Sequence, residues 1–363
     1  MRRLLAVTTC ALALAAACGR TEVVRYVDEP EAPDAGHDAG RPDAGRPDAG
    51  RPDAGQPDAA CPPFEAPIRP AVPTVMFVID RSGSMADNLN GTSDGGTSRW
   101  EVLETSLRNI LPPLDQRLAM GALMYPVNGS SCSLPFSVDL SPAVGNTTRL
   151  LALFNTRPLG GTPTFEAVRV AAAHLLTLRT ASAARALVLT TDGAPNCNPA
   201  SDPRTCTCTR PPTNNVCQPQ SNCLDDTRTI DGLRTLFQDS NLPTYVVGLG
   251  SQLSLFAGTL NQMALAGGVP RTDAGTSYYS AESEAELTDA FSRITSQLTR
   301  CTYLVDGVGP ADTFTVFIDG VEVPEGADGW QWLNLANGEL GLSGRACDAV
   351  ANGGTPSVLV DCR

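Results

Sequence analysis

The residues of this chain best able to do chemistry together are oxygen donors in three short segments: Asp80-Arg81-Ser82-Gly83-Ser84, Gly160-Gly161-Thr162-Pro163-Thr164 and Thr190-Thr191-Asp192-Gly193. They offer carboxylates and hydroxyls, with no imidazole or thiolate among them. Such a hard donor set suits Mg²⁺, with Mn²⁺ or Ca²⁺ as alternatives, and leaves water to complete the shell. Each segment alone is commonplace, the first as a turn, the second as a helix start and the third as a strand end. Only convergence on one place makes them a site, so the elements that carry them decide the matter.

Val75–Ile79, Ala186–Leu189 and Tyr245–Leu249 are short apolar runs without polar alternation, as expected of strands covered on both faces. Helical patterns near 99–111, 163–179, 224–240, 253–266 and 282–299 alternate with them, and the stretch from Arg117 to Tyr125 supplies a further strand. This alternation predicts an α/β fold, doubly wound, with a mostly parallel sheet between two layers of helices. Open sheets of this kind bind ligands beyond the carboxyl ends of their strands, and Asp80 and Asp192 fall at two such ends. Gly160 and Gly161 bring the Thr162 hydroxyl close to that edge, and Pro163 suits the first turn of the helix that follows.

In this order the three segments resemble the metal-ion-dependent adhesion site of von Willebrand factor A domains, an Asp-x-Ser-x-Ser motif followed by a Thr and then an Asp. The matching residues are Asp80, Ser82, Ser84, Thr162 and Asp192, and the resemblance covers about Pro73 to Leu298. It implies that Ser82, Ser84 and at times Thr162 touch the ion, that Asp80 and Asp192 act through water, and that a partner's acidic oxygen completes the shell.

Three other features compete for attention. Gly91-Thr92-Ser93-Asp94-Gly95 matches the Gly-x-Ser-x-Gly nucleophile pattern, but that chemistry needs a strand entering and a helix leaving the turn, and this stretch is a polar loop. Its base would have to be His174, which the helical spacing puts on a solvent face, because His37 lies in a repeat. Five cysteines between Cys197 and Cys223 could bind Zn²⁺ or form disulfides; without a Cys-x-x-Cys pair, a disulfide-stapled insertion over 193–223 with Cys132 as sixth member is favoured. Trp330, Trp332, Tyr278 and Tyr279 could stack on sugars, but the tyrosines read as an edge strand and Trp330-Gln331-Trp332 as two rings on one strand face.

The flanks set the compartment. Met1-Arg2-Arg3 precedes a largely apolar run from Leu4 to Ala17, too short to cross a bilayer as a helix. With Cys18 behind it, residues 1–18 resemble a lipoprotein signal whose Cys18 is acylated, although the customary Leu three places before the cysteine sits one place earlier, at Leu14. Gly19 lacks the acidic character of an inner-membrane retention signal, so the resemblance points to an outer-membrane lipoprotein of the cell envelope. Residues 19–72 are expected to form a disordered tether: from Pro33 to Ala60 they repeat Pro-Asp-Ala-Gly units with no apolar side chain larger than Ala, too little to bury against the entropy of ordering. Of the chain's twelve cysteines, Cys10 and Cys18 belong to the export segment, and the even remainder fits disulfides in an oxidising compartment.

The expected domain spans 73–300, and 301–363 reads as a small β-rich appendage pinned by Cys347 and Cys362, with Asp319-Gly320 turning a hairpin. A net charge of -13 with no basic cluster repels phosphate backbones and speaks against nucleic acid. The function so indicated is cation-dependent binding of a protein or an envelope or surface polymer through its acidic group, by a domain held to the membrane by its lipid and not by an enzyme. A structural envelope component with a purely stabilising metal, and a serine hydrolase using Ser93, are the alternatives.

Overall fold

The structure is a computed structural model that describes residues 62–92, 95–127, 132–133, 136–178, 184–251, 256–273, 275–326 and 328–361. The export segment with Cys18, the repeat, Ser93 and Cys362 lie outside the described residues. The described chain opens with two short strands, β1 (Phe64–Ala66) and β2 (Ile68–Pro70). It continues through β3 (Thr74–Asp80), α1 (Arg99–Ile110), β4 (Ala119–Tyr125), β5 (Leu140–Ala143), α2 (Thr147–Ala152), α3 (Thr164–Thr177), β6 (Arg185–Thr191), α4 (Asp226–Ser240), β7 (Thr244–Leu249), α5 (Ala257–Ala266), β8 (Tyr279–Ala281) and α6 (Glu284–Arg300). Then follow β9 (Thr302–Val305), β10 (Thr313–Ile318), β11 (Val321–Val323), β12 (Trp330–Asn334), β13 (Glu339–Leu342), α7 (Gly344–Ala351) and β14 (Pro356–Asp361).

Strands β5-β4-β3-β6-β7-β8 form one sheet in that order, parallel throughout except that β5 runs against β4. The alternation of side chains along each strand feeds two separate cores. In β3, Val75, Phe77 and Ile79 point into the core under α1, α2 and α6, while Met76 and Val78 point into the core under α3, α4 and α5. Every residue of β3 is buried, which is why its sequence shows no polar alternation. The fold is therefore the doubly wound α/β architecture expected. The short helix α2 was not anticipated; six residues are too few to show a helical period.

Two four-stranded sheets, β1-β14-β10-β11 and β12-β13-β9-β2, enclose a third core around Val316, Ile318, Trp330, Leu340, Val358 and Val360. The hairpin at Asp319-Gly320 forms with φ of 51° and 77°, the positive values its turn type demands. One expectation is corrected: Phe64–Pro70, assigned to the tether, pair as β1 with β14 and as β2 with β9. Three-residue strands reading Phe-Glu-Ala and Ile-Arg-Pro carry no period that would reveal them. The described partner of Cys347 is Cys301, at the end of α6. Helix α7 also went unforeseen. The aromatic residues pack structurally: Trp332 meets Trp330 and Phe314 edge-on at 5.9 and 4.8 Å, and Tyr279 lies against Tyr245. No described helix is long and apolar enough to cross a membrane.

Phe291 of α6 is wholly buried and meets Phe77 of β3 edge-on at 6.3 Å. Phe291→Ala should therefore cost about 3–5 kcal/mol of stability, read as a lowered denaturant midpoint; an unchanged midpoint would mean that α6 does not seal this core.

Candidate functional site

Parallel register brings the two carboxylates together. Ile79 of β3 lies beside Thr190 of β6, so Asp80 comes next to Thr191, and Asp192 emerges one residue beyond. Thr191 Oγ1 donates to Asp80 Oδ2 at 2.7 Å, and the backbone N–H of Ser82 donates to Asp80 Oδ1 at 2.7 Å. The turn that follows folds back over these groups. Ser82 Oγ and Ser84 Oγ are 3.1 Å apart, and Ser84 Oγ donates to Asp192 Oδ1 at 2.9 Å. Four of the five anticipated residues thus form one chain of contacts, and Asp80, Ser82 and Asp192 are buried.

The fifth, Thr162, arrives on the loop before α3. Gly83 N–H donates to Gly160 O at 3.0 Å and Leu159 N–H to Arg81 O at 2.9 Å, tying this loop to the aspartate-serine turn. Asn196, just past Asp192, holds Thr162 from the other side: its Oδ1 accepts from Thr162 N–H at 2.7 Å, and its own N–H donates to Thr162 O at 2.8 Å. The Thr162 hydroxyl has no hydrogen-bond partner among the described residues. Arg81, whose side chain the motif leaves unspecified, is a brace, donating to Pro126 O at 2.7 Å and to Thr156 Oγ1 at 3.1 Å.

The charges are unevenly matched. Asp192 Oδ2 accepts from Arg99 Nη1 at 2.5 Å, in an ion pair whose side chains are 3% and 0% exposed. No cationic side chain among the described residues pairs with Asp80. Burial, followed by the charge of Asp192, pushes the Asp80 carboxyl up to about 7. Burial also raises Asp192, against the opposing pull of Arg99. Asp80, Ser82, Ser84, Thr162 and Asp192 are the groups that could hold a metal here: a donor set of oxygens alone, with a buried carboxylate lacking a counter-charge and a hydroxyl left free, fits a hard divalent cation.

No family model matches this chain, and no curated protein matches it in sequence. Among solved structures it is similar to the PilB minor pilin from Streptococcus sanguinis, at 17% identity and a TM-score of 0.46 over 64% of this chain and 62% of that one. It is similar to the vWF domain of the type V pili tip protein Mfa5 from Porphyromonas gingivalis, at 14% identity and a TM-score of 0.38 over 61% and 94% of the two chains. A manganese-loaded Plasmodium vivax TRAP protein matches at 16% identity and a TM-score of 0.41 over 69% and 86%. The chain spans less than two thirds of the length of the pilin. All three likenesses are distant, and the chemistry of the site stands on its own atoms.

The competing candidates separate from this site. Ser93 lies outside the described residues. His174 is half-buried, and its Nε2 makes a surface contact at 3.0 Å with Ser141 Oγ. It lies ten residues along α3 from the Thr164 end, roughly 15 Å at the helical rise. The cysteines are paired as Cys132–Cys197, Cys206–Cys223 and Cys208–Cys217. The close approach of the Cys206, Cys217 and Cys223 sulfurs is therefore that of disulfides, with no thiolate to offer Zn²⁺. Sequence reasoning missed Asn196 and Arg99, and gave Thr191 no role of its own although it stands in the third segment. Only the strand register gives Thr191 its role, and only the path of the insertion brings Asn196 to Thr162.

The shift at Asp80 has a consequence for the metal-free protein. Its folded value stands above the unfolded one, so its contribution to stability is complete below about pH 4 and is lost as pH rises through about 7. In chelator the melting temperature should fall between pH 5 and 7.5, by at least about 3 °C, and Asp80→Asn should remove most of that slope. Calorimetric melting across this range checks it; an equal slope in the variant would exclude Asp80 as the source.

Proposed function

We propose that this protein is an exported binding protein of the von Willebrand factor A type, in which Asp80, Ser82, Ser84, Thr162 and Asp192 hold a divalent cation and the site grips an acidic group of a partner protein or surface polymer. The observation that carries this reading is Asp80, a buried carboxylate without a cationic partner among the described residues, set among hydroxyls at the carboxyl edge of a parallel sheet. Burying an ionised carboxylate is costly unless it is paired or bound to a metal. Mg²⁺ suits the donors, with Mn²⁺ or Ca²⁺ as alternatives. When bound, the cation supplies a Lewis-acidic position for one acidic oxygen of the partner.

The chain's own residues shape what can approach. Ser84 and Arg99 orient Asp192, Ser82 N–H and Thr191 orient Asp80, and Asn196 presents the Thr162 loop. Arg210, from the disulfide-stapled insertion, is exposed, and its Nη2 lies 3.9 Å from where a Cβ on Gly83 would sit. A cation at this rim favours an acidic ligand in a chain whose net charge is -13. Acylation at Cys18 would hold the protein to the outer membrane, and the disulfides support an oxidising compartment.

Calorimetric titration tests the site. Asp80→Ala should weaken Mg²⁺ binding by at least about tenfold while circular dichroism is retained, and Thr162→Ala should impair partner capture more than cation binding; wild-type affinity in Asp80→Ala would put the ion elsewhere. For the anchor, Cys18→Ser should abolish partitioning into detergent, and a variant that still partitions would refute acylation at that residue.

A further inference from the structure

We propose that Arg99 is the built-in counter-ion of this site, and that it makes cation binding and capture of a carboxylate depend on each other. The inference rests on the cation site proposed above and adds a residue that no part of the adhesion-site motif contains. Arg99 is the first residue of α1 and is fixed there by a capping box: Ser98 Oγ accepts from Glu101 N–H at 3.2 Å, and Glu101 Oε2 accepts from Ser98 N–H at 2.8 Å. From that position the side chain runs inward instead of out to solvent. Its Nη1 donates to Asp192 Oδ2 at 2.5 Å and to Ser84 O at 3.2 Å, so the guanidinium touches both the aspartate and the serine turn of the site.

The surroundings are shaped to admit it. Gly250, at the end of β7, has φ of 95°, and a Cβ there would come within 2.8 Å of Arg99 Nε and 3.2 Å of its Nη2. A larger residue there would crowd both the guanidinium and the Leu89 carbonyl, which lies 2.9 Å from the same point. Yet the same Nε and Nη2 are buried with no hydrogen-bond partner among the described residues. A buried guanidinium satisfied on one nitrogen is a poor way to stabilise a fold, since an apolar side chain of similar length would avoid the desolvation. What an apolar side chain could not supply is the positive charge.

That charge changes the arithmetic of binding. With both aspartates ionised, two carboxylates against one guanidinium leave a single negative charge, and a divalent cation turns the site positive by one. One carboxylate from outside then brings it to neutrality. Without Arg99 the aspartates would cancel the dication unaided, and an arriving carboxylate would meet a site with no charge to spare. Arg99 thus weakens retention of the cation alone and strengthens its retention together with an anionic ligand, a reciprocal coupling in the thermodynamic sense.

The experiment is calorimetric titration of the folded protein with Mn²⁺, in chloride and in acetate buffer at equal ionic strength, for the wild type, Arg99→Met and Arg99→Lys. Wild type should bind Mn²⁺ more tightly in acetate. Arg99→Met should bind Mn²⁺ alone on the order of tenfold more tightly than wild type and lose the acetate effect, while Arg99→Lys, which keeps the charge, should keep it. Should Arg99→Met not fold, Arg99→Gln replaces it, being neutral but able to donate to Asp192. Wild-type affinity and an undiminished acetate effect in the neutral variants would overturn the proposal and leave Arg99 a structural brace. Absence of Mn²⁺ binding in the folded wild type would instead overturn the cation site itself, and this inference with it.

Discussion

Two carboxylates buried side by side at the ends of neighbouring strands are the constraint on which the rest of the structure turns. Asp80 and Asp192 repel one another with little water to screen them, and each oxygen that has a partner was given it by a particular piece of the fold: Thr191 by strand register, Ser82 N–H by the turn, Ser84 Oγ by that turn's second pass, and Arg99 by the start of α1. Of these, the contacts to Thr191 and Asp192 would not survive a slip of β3 against β6. A one-residue shift would exchange the two faces of β3 and send Phe77 and Ile79 into the wrong core. The two hydrophobic cores therefore do more than hold the sheet; they fix where the charges fall.

The cysteine-rich insertion belongs to the same problem. Cys132–Cys197 joins the connection between β4 and β5 to the chain just past Asp192, and Asn196, the neighbour of Cys197, bonds to both the backbone N–H and the carbonyl of Thr162. Thr209 and Asn222, within the loops closed by the other two disulfides, continue the network, with Asn196 Nδ2 donating to Thr209 Oγ1 at 3.2 Å and Thr209 N–H to Asn222 O at 2.7 Å. The crosslinks thus brace the loop that carries a hydroxyl of the site, in addition to any protection they give the insertion.

The central strands of the sheet, its longer helices and the convergence of the three oxygen-bearing segments were legible in the sequence because each has a strong local signal, an unbroken apolar run, a helical period or a motif at a strand end; the edge strand β5 and the short helix α2 have none. Arg99 was not, because an arginine at the first position of an amphipathic helix ordinarily points to water, and nothing local shows that Gly250, some 150 positions away in the chain, leaves room for it. Asn196 was hidden for a similar reason, since its partners lie across a loop closure that only the disulfides define. Strands β1 and β2 were missed because strands this short are specified by their partners in β14 and β9, and not by their own pattern.

Those two short strands also fix where the described chain enters relative to the two carboxylates. They enter the small β-rich sheets, and these attach at the amino ends of the central strands: Ala71 N–H donates to Thr302 O, and Ala184 N–H, just before β6, donates to Glu339 Oε1 of β13 at 2.8 Å. The carboxyl ends of β3 and β6, with Asp80 and Asp192, lie at the other side of the sheet. Seven residues of strand separate the two sides, roughly 23 Å at the rise of an extended chain. The described chain therefore enters the domain, through β1 and β2, on the side away from the carboxylates. Under the proposed anchoring at Cys18, a pull from the membrane would act on the β-rich sheets first and reach the site only through the length of the central strands. On that proposal, the end of the domain that takes up the load and the end that carries the carboxylates are separated by the full length of the central strands.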